Sequence, residues 1–507
     1  MRVALSLGVG VCLLGGCLGP LEVKEGGSGG GGGQGGAGGQ GGDTCAVEFC
    51  HTAAIEGTCG PKVCPSVGWN LRFGDAANQG VSAIAVDTTA PNERIYITGR
   101  YRGTMTFGPQ VVSEGGLGMD DAYLASVDGD GFGTMILNVG MSDLQDPALG
   151  YVPRVGLGVS AEGSFVYVVG SHRANEPVEP EINLDGFVRR FDPSSLQPVE
   201  WTRTFGGAGP DKAVAVAPVG SYAFVAGTLG TVPGYATEAS FTCDNTVAHE
   251  VPAGEEHMVL AQYDDAGQCP WIRAFSGGTH RPTAATSNPV GDAYVTGSYV
   301  GLLVGQDGNS LPTANDDAAF VMKVDITGNV VWSVAFGGLS AGNRAVPRAI
   351  TLVDGDLRVT GSMSGTVDFG TGPIVASTES TFVLALDESG TTRWVTRIGE
   401  AEGIAGMSRG TGVARAAYDG ILVAIDGTAS DGGDAGQGAF VANLDDAGRL
   451  RSLDFLGMGG DPAGRSLLLG SGSSAPYLAA AWSAKLRFEP AEANPAGLDV
   501  ILGKFAP

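Results

Sequence analysis

A β-hairpin phrase that recurs along the chain constrains the fold more than any other feature. Its clearest copy runs from Ala319 to Gly338, AFVMKVDITGNVVWSVAFGG, where two apolar, β-rich runs flank the turn Asp325-Ile-Thr-Gly328. This pattern is typical of a hairpin whose turn ends on a glycine. The same Asp-x-x-Gly turn recurs at Asp128–Gly131, Asp264–Gly267, Asp387–Gly390 and Asp445–Gly448. We therefore expect a repeat protein built from short strands.

Aligning the chain on the aromatic position after the turn gives seven copies of the repeat. The position is held by Trp69, Met135, Trp201, Trp271, Trp332, Trp394 and Ser452. Successive copies are 66, 66, 70, 61, 62 and 58 residues apart, and three further short strands lie within most steps. A parallel β-helix would need a period of roughly 20–25 residues and a string of sandwiches about 100. The sequence therefore predicts an all-β fold over residues 67–507, a seven-bladed β-propeller of four-stranded antiparallel blades.

The two ends of the repeat region are each incomplete. The last unit has only three strands, Ser466–Leu469, Tyr477–Ala481 and Asp499–Phe505, and the outermost-type strand Trp69–Phe73 precedes the first unit. We predict that Trp69–Phe73 pairs antiparallel with Val500–Phe505. Strands from both termini would then complete the seventh blade and close the ring.

The best copies carry a family resemblance. The segment 349–394, with AITLVDGDLRVTGSMSGTVDFG followed by TFVLALDESGTTRW, resembles the bacterial β-propeller repeat found in secreted and surface proteins. The resemblance covers residues 69–505, and a likeness to NHL-type blades implies that the tryptophan strand is outermost. That family has no catalytic residues to carry over, so the resemblance implies a fold and an exported location.

The N-terminus has the features of a bacterial lipoprotein. Arg2 precedes an apolar run, Val3 to Leu14, that is too short to span a bilayer comfortably. The run ends in Leu14-Gly-Gly-Cys17, which resembles a lipobox; cleavage after residue 16 would leave Cys17 lipidated and anchored to a membrane. By the same resemblance, Leu18 directly after the cysteine indicates sorting to the outer membrane. An ordinary secretory signal with an incidental cysteine is the alternative.

Two cysteine-containing segments follow the signal peptide. Residues 17–43 form a glycine-rich tether that we expect to be disordered, and residues 44–66 a small cysteine-rich segment. The latter holds Cys45, Cys50, Cys59 and Cys64 in the spacing C-x4-C-x8-C-x4-C. This spacing favours disulfides over zinc in an exported chain, and all three pairings stay open.

We predict a further disulfide between Cys243 and Cys269, because Cys243 lies in the insertion of the longest repeat step.

Charge and composition exclude several functions. The formal net charge is −25, so a nucleic acid partner would be repelled. The five histidines show no metal-type spacing, and no metal site or cofactor is predicted. The Asp-x-x-Gly turns could bind calcium, but plain turn chemistry explains them better, with aspartate accepting backbone N–H groups. The tryptophans Trp69, Trp201, Trp271, Trp332 and Trp394 are interpreted as packing residues between blades rather than as sugar platforms.

Catalytic residues cannot be assigned from the sequence. It has no G-x-S-x-G motif or P-loop, and the pairs Asp120-Asp121, Asp316-Asp317 and Asp445-Asp446 are adjacent residues that face opposite sides of a strand. The phrase from Asp325 to Trp332 also resembles repeats of quinone-dependent dehydrogenases, but no cofactor pocket with calcium and a catalytic aspartate is identifiable.

We therefore predict a monomeric envelope lipoprotein whose propeller is a non-enzymatic module for binding or scaffolding. It would be anchored to the membrane by its lipid and bind a protein or a glycan. The alternative is an envelope enzyme that acts on glycan or alcohol substrates at the propeller axis.

Overall fold

The computed structural model describes most of the repeat region. The described residues are 67–74, 79–89, 92–113, 120–139, 154–162, 165–173, 184–207, 209–231, 239–243, 247–252, 254–305, 308, 310–417, 419–431, 434–459, 466–473, 475–482 and 499–505. Backbone contacts divide the chain into Met1–Ala46 and Val47–Pro507, and all described residues belong to the second unit. The predicted lipidation site Cys17 and the cysteines Cys45, Cys50, Cys59 and Cys64 lie outside the described residues. Over the described ranges, no helix has the length and apolar character needed to cross a membrane.

The prediction of an all-β fold is confirmed. The described residues form strands and one 3-10 turn, Glu400–Glu402. The first strands are β1 Val67–Phe73, β2 Gly80–Asp87, β3 Arg94–Tyr101, β4 Thr104–Phe107, β5 Gln110–Ser113, β6 Asp121–Asp128, β7 Met135–Asn138, β8 Arg154–Glu162, β9 Phe165–Arg173, β10 Leu184–Phe191, β11 Pro198–Phe205, β12 Lys212–Val219, β13 Tyr222–Gly230, β14 Ala239–Cys243, β15 Val247–Val251 and β16 Glu256–Tyr263. They are followed by β17 Trp271–Ser287, β18 Ala293–Gly305, β19 Ala314–Val324, β20 Val330–Phe336, β21 Arg344–Val353, β22 Asp356–Asp368, β23 Pro373–Leu386, β24 Thr392–Ile398, β25 Ser408–Arg415, β26 Ile421–Asp431, β27 Asp434–Leu444, β28 Leu450–Gly459, β29 Ser466–Gly470, β30 Tyr477–Trp482 and β31 Asp499–Phe505.

The strands form antiparallel sheets that follow the chain in order. Sheet A has the order β2-β3-β6-β7, sheet B β8-β9-β10-β11, sheet D β21-β22-β23-β24 and sheet E β25-β26-β27-β28. Sheet C has seven strands, β12-β13-β16-β17-β18-β19-β20, because the long strand β17 passes from one four-stranded group into the next. Sheet F is β29-β30-β31-β1. The arrangement is β-propeller-like.

The middle strands are apolar on both faces because each sheet is covered on both sides by its neighbours. Six consecutive residues of β30 are buried, as are seven of the eight residues of β6. A half-exposed sheet would show an alternation of apolar and polar residues instead. Continuous small and β-branched runs in the sequence therefore mark strands that lie between two sheets.

A tryptophan contacts the turn of the following repeat at five places. Each indole Nε1 donates a hydrogen bond of 2.8–3.0 Å to a backbone carbonyl of an Asp-x-x-Gly turn. The pairs are Trp69 with Gly129, Trp201 with Asp265, Trp271 with Ile326, Trp332 with Glu388 and Trp394 with Asp446. The turn glycine lies against the same ring, so the Trp and Gly positions of the repeat are coupled by direct contact.

We expect Gly328→Ala to destabilise the protein by about 2–4 kcal/mol, more than Gly342→Ala, for which we expect about 1 kcal/mol. Both glycines have φ +84°, so a side chain costs backbone strain at either position. A Cβ at Gly328 would also lie 2.5 Å from Cδ2 of Trp271, whereas nothing lies within 4 Å of one at Gly342. Urea unfolding of the two variants measures the difference. Equal losses would show that the contact between the turn and the indole adds nothing.

The predicted pairing between the two ends of the repeat region is present. Strand β1 runs antiparallel to β31, with Trp69 opposite Lys504 and Phe73 opposite Val500. Nε of Arg72 lies 2.8 Å from Oδ2 of Asp499. Sheet F in turn contacts sheet A: the hydroxyl of Tyr477 donates to Oε2 of Glu93 at 2.6 Å, and Lys504 Nζ donates to the carbonyl of Gly129.

Candidate functional site

One cavity of about 160 Å³ lies among sheets A to F, and the strands that line it are here called the inner strands. Seven strands contribute to it: β2, β8, β12, β17, β21, β25 and β29. We call this the axial cavity. Its wall is made mainly of small and apolar side chains.

Six of the seven inner strands carry a β-bulge at the same place, and the bulged residue lines the axial cavity. These residues are Ser82, Leu157, Val214, Thr283, Arg348 and Thr411. A bulge turns a side chain out of the regular alternation of the strand. Arg348 is the one charged member of this set of six.

Arg348 also lines a second cavity of about 380 Å³, which we call the arginine cavity. Sheets C, D and E contribute to its wall. Its charged residues are Arg281, Asp317, Arg344, Arg348, Glu379 and Arg409, and Ser298, Ser362 and Ser364 add hydroxyl groups. Four guanidinium groups therefore face two carboxylates, in a chain whose formal net charge is −25.

Strand geometry explains why these residues meet. Arg344 and Val346 are alternate residues of β21, so the strand presents both to one side, and the bulge at Arg348 brings that guanidinium to the same cavity. Ser362 and Ser364 are alternate residues of β22 and lie opposite β21, where Ser362 pairs with Val346. The arginine cavity thus belongs to the end of sheet D at which β21 begins.

The two carboxylates of the cavity are held by arginines from neighbouring sheets. Asp317 of sheet C lies 2.8 Å from Nη1 of Arg281 and also pairs with Arg344 of sheet D. Glu379 of sheet D accepts hydrogen bonds of 2.9 and 2.8 Å from Nε and Nη2 of Arg409 of sheet E. Burial raises the pKa of Glu379, but hydrogen bonds from Arg409 and Ser362 outweigh burial and hold that pKa below its usual range. Glu379 is therefore ionised at neutral pH.

Arg348 differs from the other three arginines. Its Nη1 donates to Oγ of Ser362 at 2.9 Å and to the carbonyl of Val346 at 3.3 Å. No carboxylate of the described residues lies within ion-pair distance of the Arg348 guanidinium. The negative charges of Glu379 and Asp426 attract it from further away. Burial is the main cause of the lowered pKa of Arg348; the charge of Arg409 lowers that pKa further, and the charges of Glu379 and Asp426 oppose the change. A partly buried guanidinium without a paired anion is costly, and a bound anion would offset that cost.

The residues singled out from the sequence lie elsewhere. The five tryptophans contact the repeat turns, and the turn aspartates accept backbone N–H groups, as Asp325 does from Thr327 and Asn329. No cluster of three or more metal-ligating side chains occurs in the part of the chain that the structure describes. Cys269 is 4% exposed, and the side chain of Cys243 lies outside the described residues, so their predicted disulfide stays a prediction.

The arginine cavity was missed because its residues come from three repeats and match no motif. One signal was available in the sequence. When the inner strands are aligned on their bulge, position 348 holds arginine where other copies hold serine, threonine, leucine or valine.

Comparisons with known proteins give structural likeness only. No family model matches the sequence, and no curated protein matches it. Similar solved structures include a phage phi92 endosialidase, with 10% identity and a TM-score of 0.42 over 86% of this chain and 68% of the other. A Trypanosoma rangeli sialidase in complex with sialic acid has 8% identity and a TM-score of 0.37 over 86% of this chain and 58% of the other. An ulvan lyase from a new family of polysaccharide lyases has 9% identity and a TM-score of 0.43 over 85% and 96%.

These neighbours correct the functional prediction made from the sequence. The prediction was a non-enzymatic module for binding or scaffolding, and the chain was expected not to be an enzyme. The three structures named above are glycan-acting enzymes by name, in line with the enzyme alternative rather than with that prediction. At these identities the likeness concerns the fold, so the chemistry has to be derived from the side chains of this chain.

Proposed function

We propose that the protein is an enzyme of the cell envelope that acts on acidic glycans at the mouth of the propeller axis. The observation that carries this proposal is Arg348, a guanidinium without a paired carboxylate that lines both the axial cavity and the arginine cavity. Arginine binds a carboxylate or a sulfate through two parallel hydrogen bonds. A sugar with such a group would replace the missing counter-ion.

The other residues of the cavity have roles that fit a charged sugar. Arg281 and Arg344 have side chains 56% and 51% exposed, and each retains donors that can reach sugar hydroxyls or a second anionic group. Ser298 and Ser364 offer hydroxyls to the same space. Glu379 is ionised at neutral pH, so its carboxylate is free of a proton and available as an acceptor for the bound sugar or for water. We assign it the role of base, with Arg409 as its positioning residue.

The fold proposed for this enzyme is a closed seven-bladed propeller. Support comes from the axial cavity, which is lined by one inner strand from each of seven repeats, and from the contacts of sheet F with sheet A. In such a fold the arginine cavity lies beside the axis, where loops from several blades meet.

Activity against a panel of polysaccharides tests this function. The chain 65–507 should cleave glycans that carry uronic acid or sulfate groups, seen as new reducing ends, and leave neutral glycans intact. Arg409→Ala should lower the rate strongly, because Glu379 loses its partner. Arg415→Ala is the matched control: it lies at the other end of β25 and pairs with Asp354. Cleavage of neutral glycans at an equal rate, or equal losses in both variants, would contradict the assignment.

The envelope location is a proposal that rests on the sequence. Lipidation of Cys17 would hold the protein at a membrane, in keeping with sorting to the outer membrane. We expect Cys17→Ser to move the protein from the membrane fraction into the soluble fraction, since acyl chains supply about 0.8 kcal/mol per buried methylene. Leu18→Val, which keeps the cysteine, is the control. A Cys17→Ser protein that still sediments with membranes would exclude this anchor.

A further inference from the structure

Ser362 connects the two charged groups that have the main roles in the proposed function. Nη1 of Arg348 donates a hydrogen bond of 2.9 Å to Oγ of Ser362. The hydroxyl of Ser362 in turn donates to the carboxylate of Glu379. A serine hydroxyl has one proton to donate and two lone pairs that accept, so it can make both bonds at once. Arg348, Ser362 and Glu379 therefore form one hydrogen-bonded chain across β21, β22 and β23 of sheet D.

This hydrogen-bonded chain is sheltered from water. Ser362 is 2% exposed, and Arg348 and Glu379 are partly buried. Charges in such places are screened by water and salt much less than charges on an open surface, and hydrogen bonds between them polarise one another. A change in the charge at Arg348 is therefore felt at Glu379.

The groups around Glu379 determine the sign of this effect. Burial raises the pKa of Glu379, but hydrogen bonds from Arg409 and Ser362 and the positive charges of Arg409 and Arg348 lower it, and the balance lies below the ordinary value. Arg348 is thus one of the groups that favour the ionised carboxylate. The other charged side chains on the strands around Glu379 are Arg281, Asp317, Arg344, Arg397 and Asp426.

We propose that Ser362 and the charge of Arg348 couple the two ends of this chain, so that an anionic group bound at Arg348 makes Glu379 take up a proton more readily. A bound anion neutralises the guanidinium, so the carboxylate loses part of the attraction that stabilises its charged form. An anion that also accepts from Nη1 of Arg348 weakens the bond to Ser362, which acts in the same direction. The inference rests on the proposed function, because it takes Arg348 as the anion site and Glu379 as the base.

The coupling gives the acidic group of the substrate an effect on the rate as well as on the affinity. In the free protein Glu379 is a weak proton acceptor, because two arginines and Ser362 stabilise its charge. With an acidic group at Arg348 it becomes a stronger acceptor in the complex in which it has to act. A neutral glycan supplies no such group and would lose base strength in addition to binding energy. Ser362 is then a positioning residue that contributes to the choice between acidic and neutral glycans.

Binding of inorganic sulfate at several pH values tests the coupling without any assay of activity. Linkage is reciprocal: if a bound anion favours protonation of Glu379, then protonation of Glu379 favours the anion. We expect the sulfate affinity of the full chain, measured by isothermal titration calorimetry, to rise as the pH falls from neutral into the acidic range. The contribution of the one linked proton is at most about tenfold per pH unit. Arg348→Met should abolish the binding.

Matched variants separate this coupling from the general effect of acid on a chain with a formal net charge of −25. Glu379→Gln cannot take up the proton, so its sulfate affinity should rise less steeply than that of the wild type. Ser362→Ala should also bind sulfate with a weaker pH dependence, and Ser362→Thr, which keeps the hydroxyl, should restore the wild-type dependence. Ser364→Ala is the control, because it removes another hydroxyl of β22 from the same cavity and should leave the pH dependence unchanged.

The outcomes distinguish the coupling from the proposed function. An equal pH dependence in the wild type and Glu379→Gln would overturn the coupling, even if acidic glycans are cleaved. A steeper rise in the wild type without cleavage of any glycan would support the coupling and contradict the enzyme. An unchanged pH dependence in Ser362→Ala would overturn the role of Ser362. Sulfate binding that persists in Arg348→Met would overturn both proposals, because the anion would then bind elsewhere.

Discussion

A chain shortened to residues 75–507 is expected to lose its cooperative folded state, whereas 65–507 keeps it. The deletion removes β1, the strand that pairs with β31 in sheet F. The deletion also removes the buried ring of Phe73, the indole contact of Trp69 with the turn of sheet A, and the ion pair of Arg72 with Asp499. The backbone edge of β31 is left unpaired as well.

The magnitude of these losses exceeds what a domain of this kind can tolerate. Removing one large aromatic side chain from a core costs about 3–5 kcal/mol. Strand β1 supplies one such residue, Phe73, and the partly buried Trp69, besides its backbone hydrogen bonds. The whole free energy of unfolding of a domain is about 5–15 kcal/mol. Thermal unfolding by circular dichroism and size-exclusion chromatography of the two chains measure the effect. A single transition at the same temperature in both would show that β1 is dispensable.

The second large effect is expected at Arg348. Arg348→Met keeps a long side chain but removes the charge that would bind the anionic group of the substrate. Loss of one partner from a hydrogen-bonded charge pair costs about 2–5 kcal/mol, so we expect kcat/KM on acidic glycans to fall on the order of a hundredfold or more. The free energy of unfolding should stay the same or rise slightly, because a partly buried charge without an ion pair is removed.

Arg358→Met is the matched control for this variant. Arg358 is also an arginine of sheet D whose pKa burial lowers, but it lies on β22 near Asp356, with its guanidinium over the ring of Trp394 at 5.4 Å. We expect this variant to lose stability and to keep its activity. Steady-state kinetics and urea unfolding of both variants separate the two roles. An active Arg348→Met protein would remove Arg348 from the substrate site.

The sequence predicted those parts of the fold that each repeat specifies locally. The Asp-x-x-Gly turn, the apolar runs around it and the period of about 60 residues were enough to give an all-β protein of four-stranded antiparallel sheets. The pairing of β1 with β31 followed from an unpaired strand at each end of the repeat region. Local rules were sufficient because hairpins join residues that are close in sequence.

The candidate site is different, because it depends on packing between repeats. Asp317 and Arg344 are brought together from sheets C and D, and no residue spacing in the sequence predicts that contact. The lowered pKa of Glu379 depends on Arg409 of the next sheet. The strand β17 also runs from Trp271 through Ser287 without a break, a continuity that the repeat pattern did not predict.

The pairing of β1 with β31 has a consequence for how the chain is made. Arg72 and its partner Asp499 are separated by 427 positions, so β1 leaves the ribosome long before β31, the strand with which it pairs. At a synthesis rate of about 5–20 residues per second, that interval lasts for tens of seconds. During it the apolar strand Val67–Phe73 has no sheet to join and must be kept from pairing with other chains. Sheet F is therefore completed only after β31 has been synthesised.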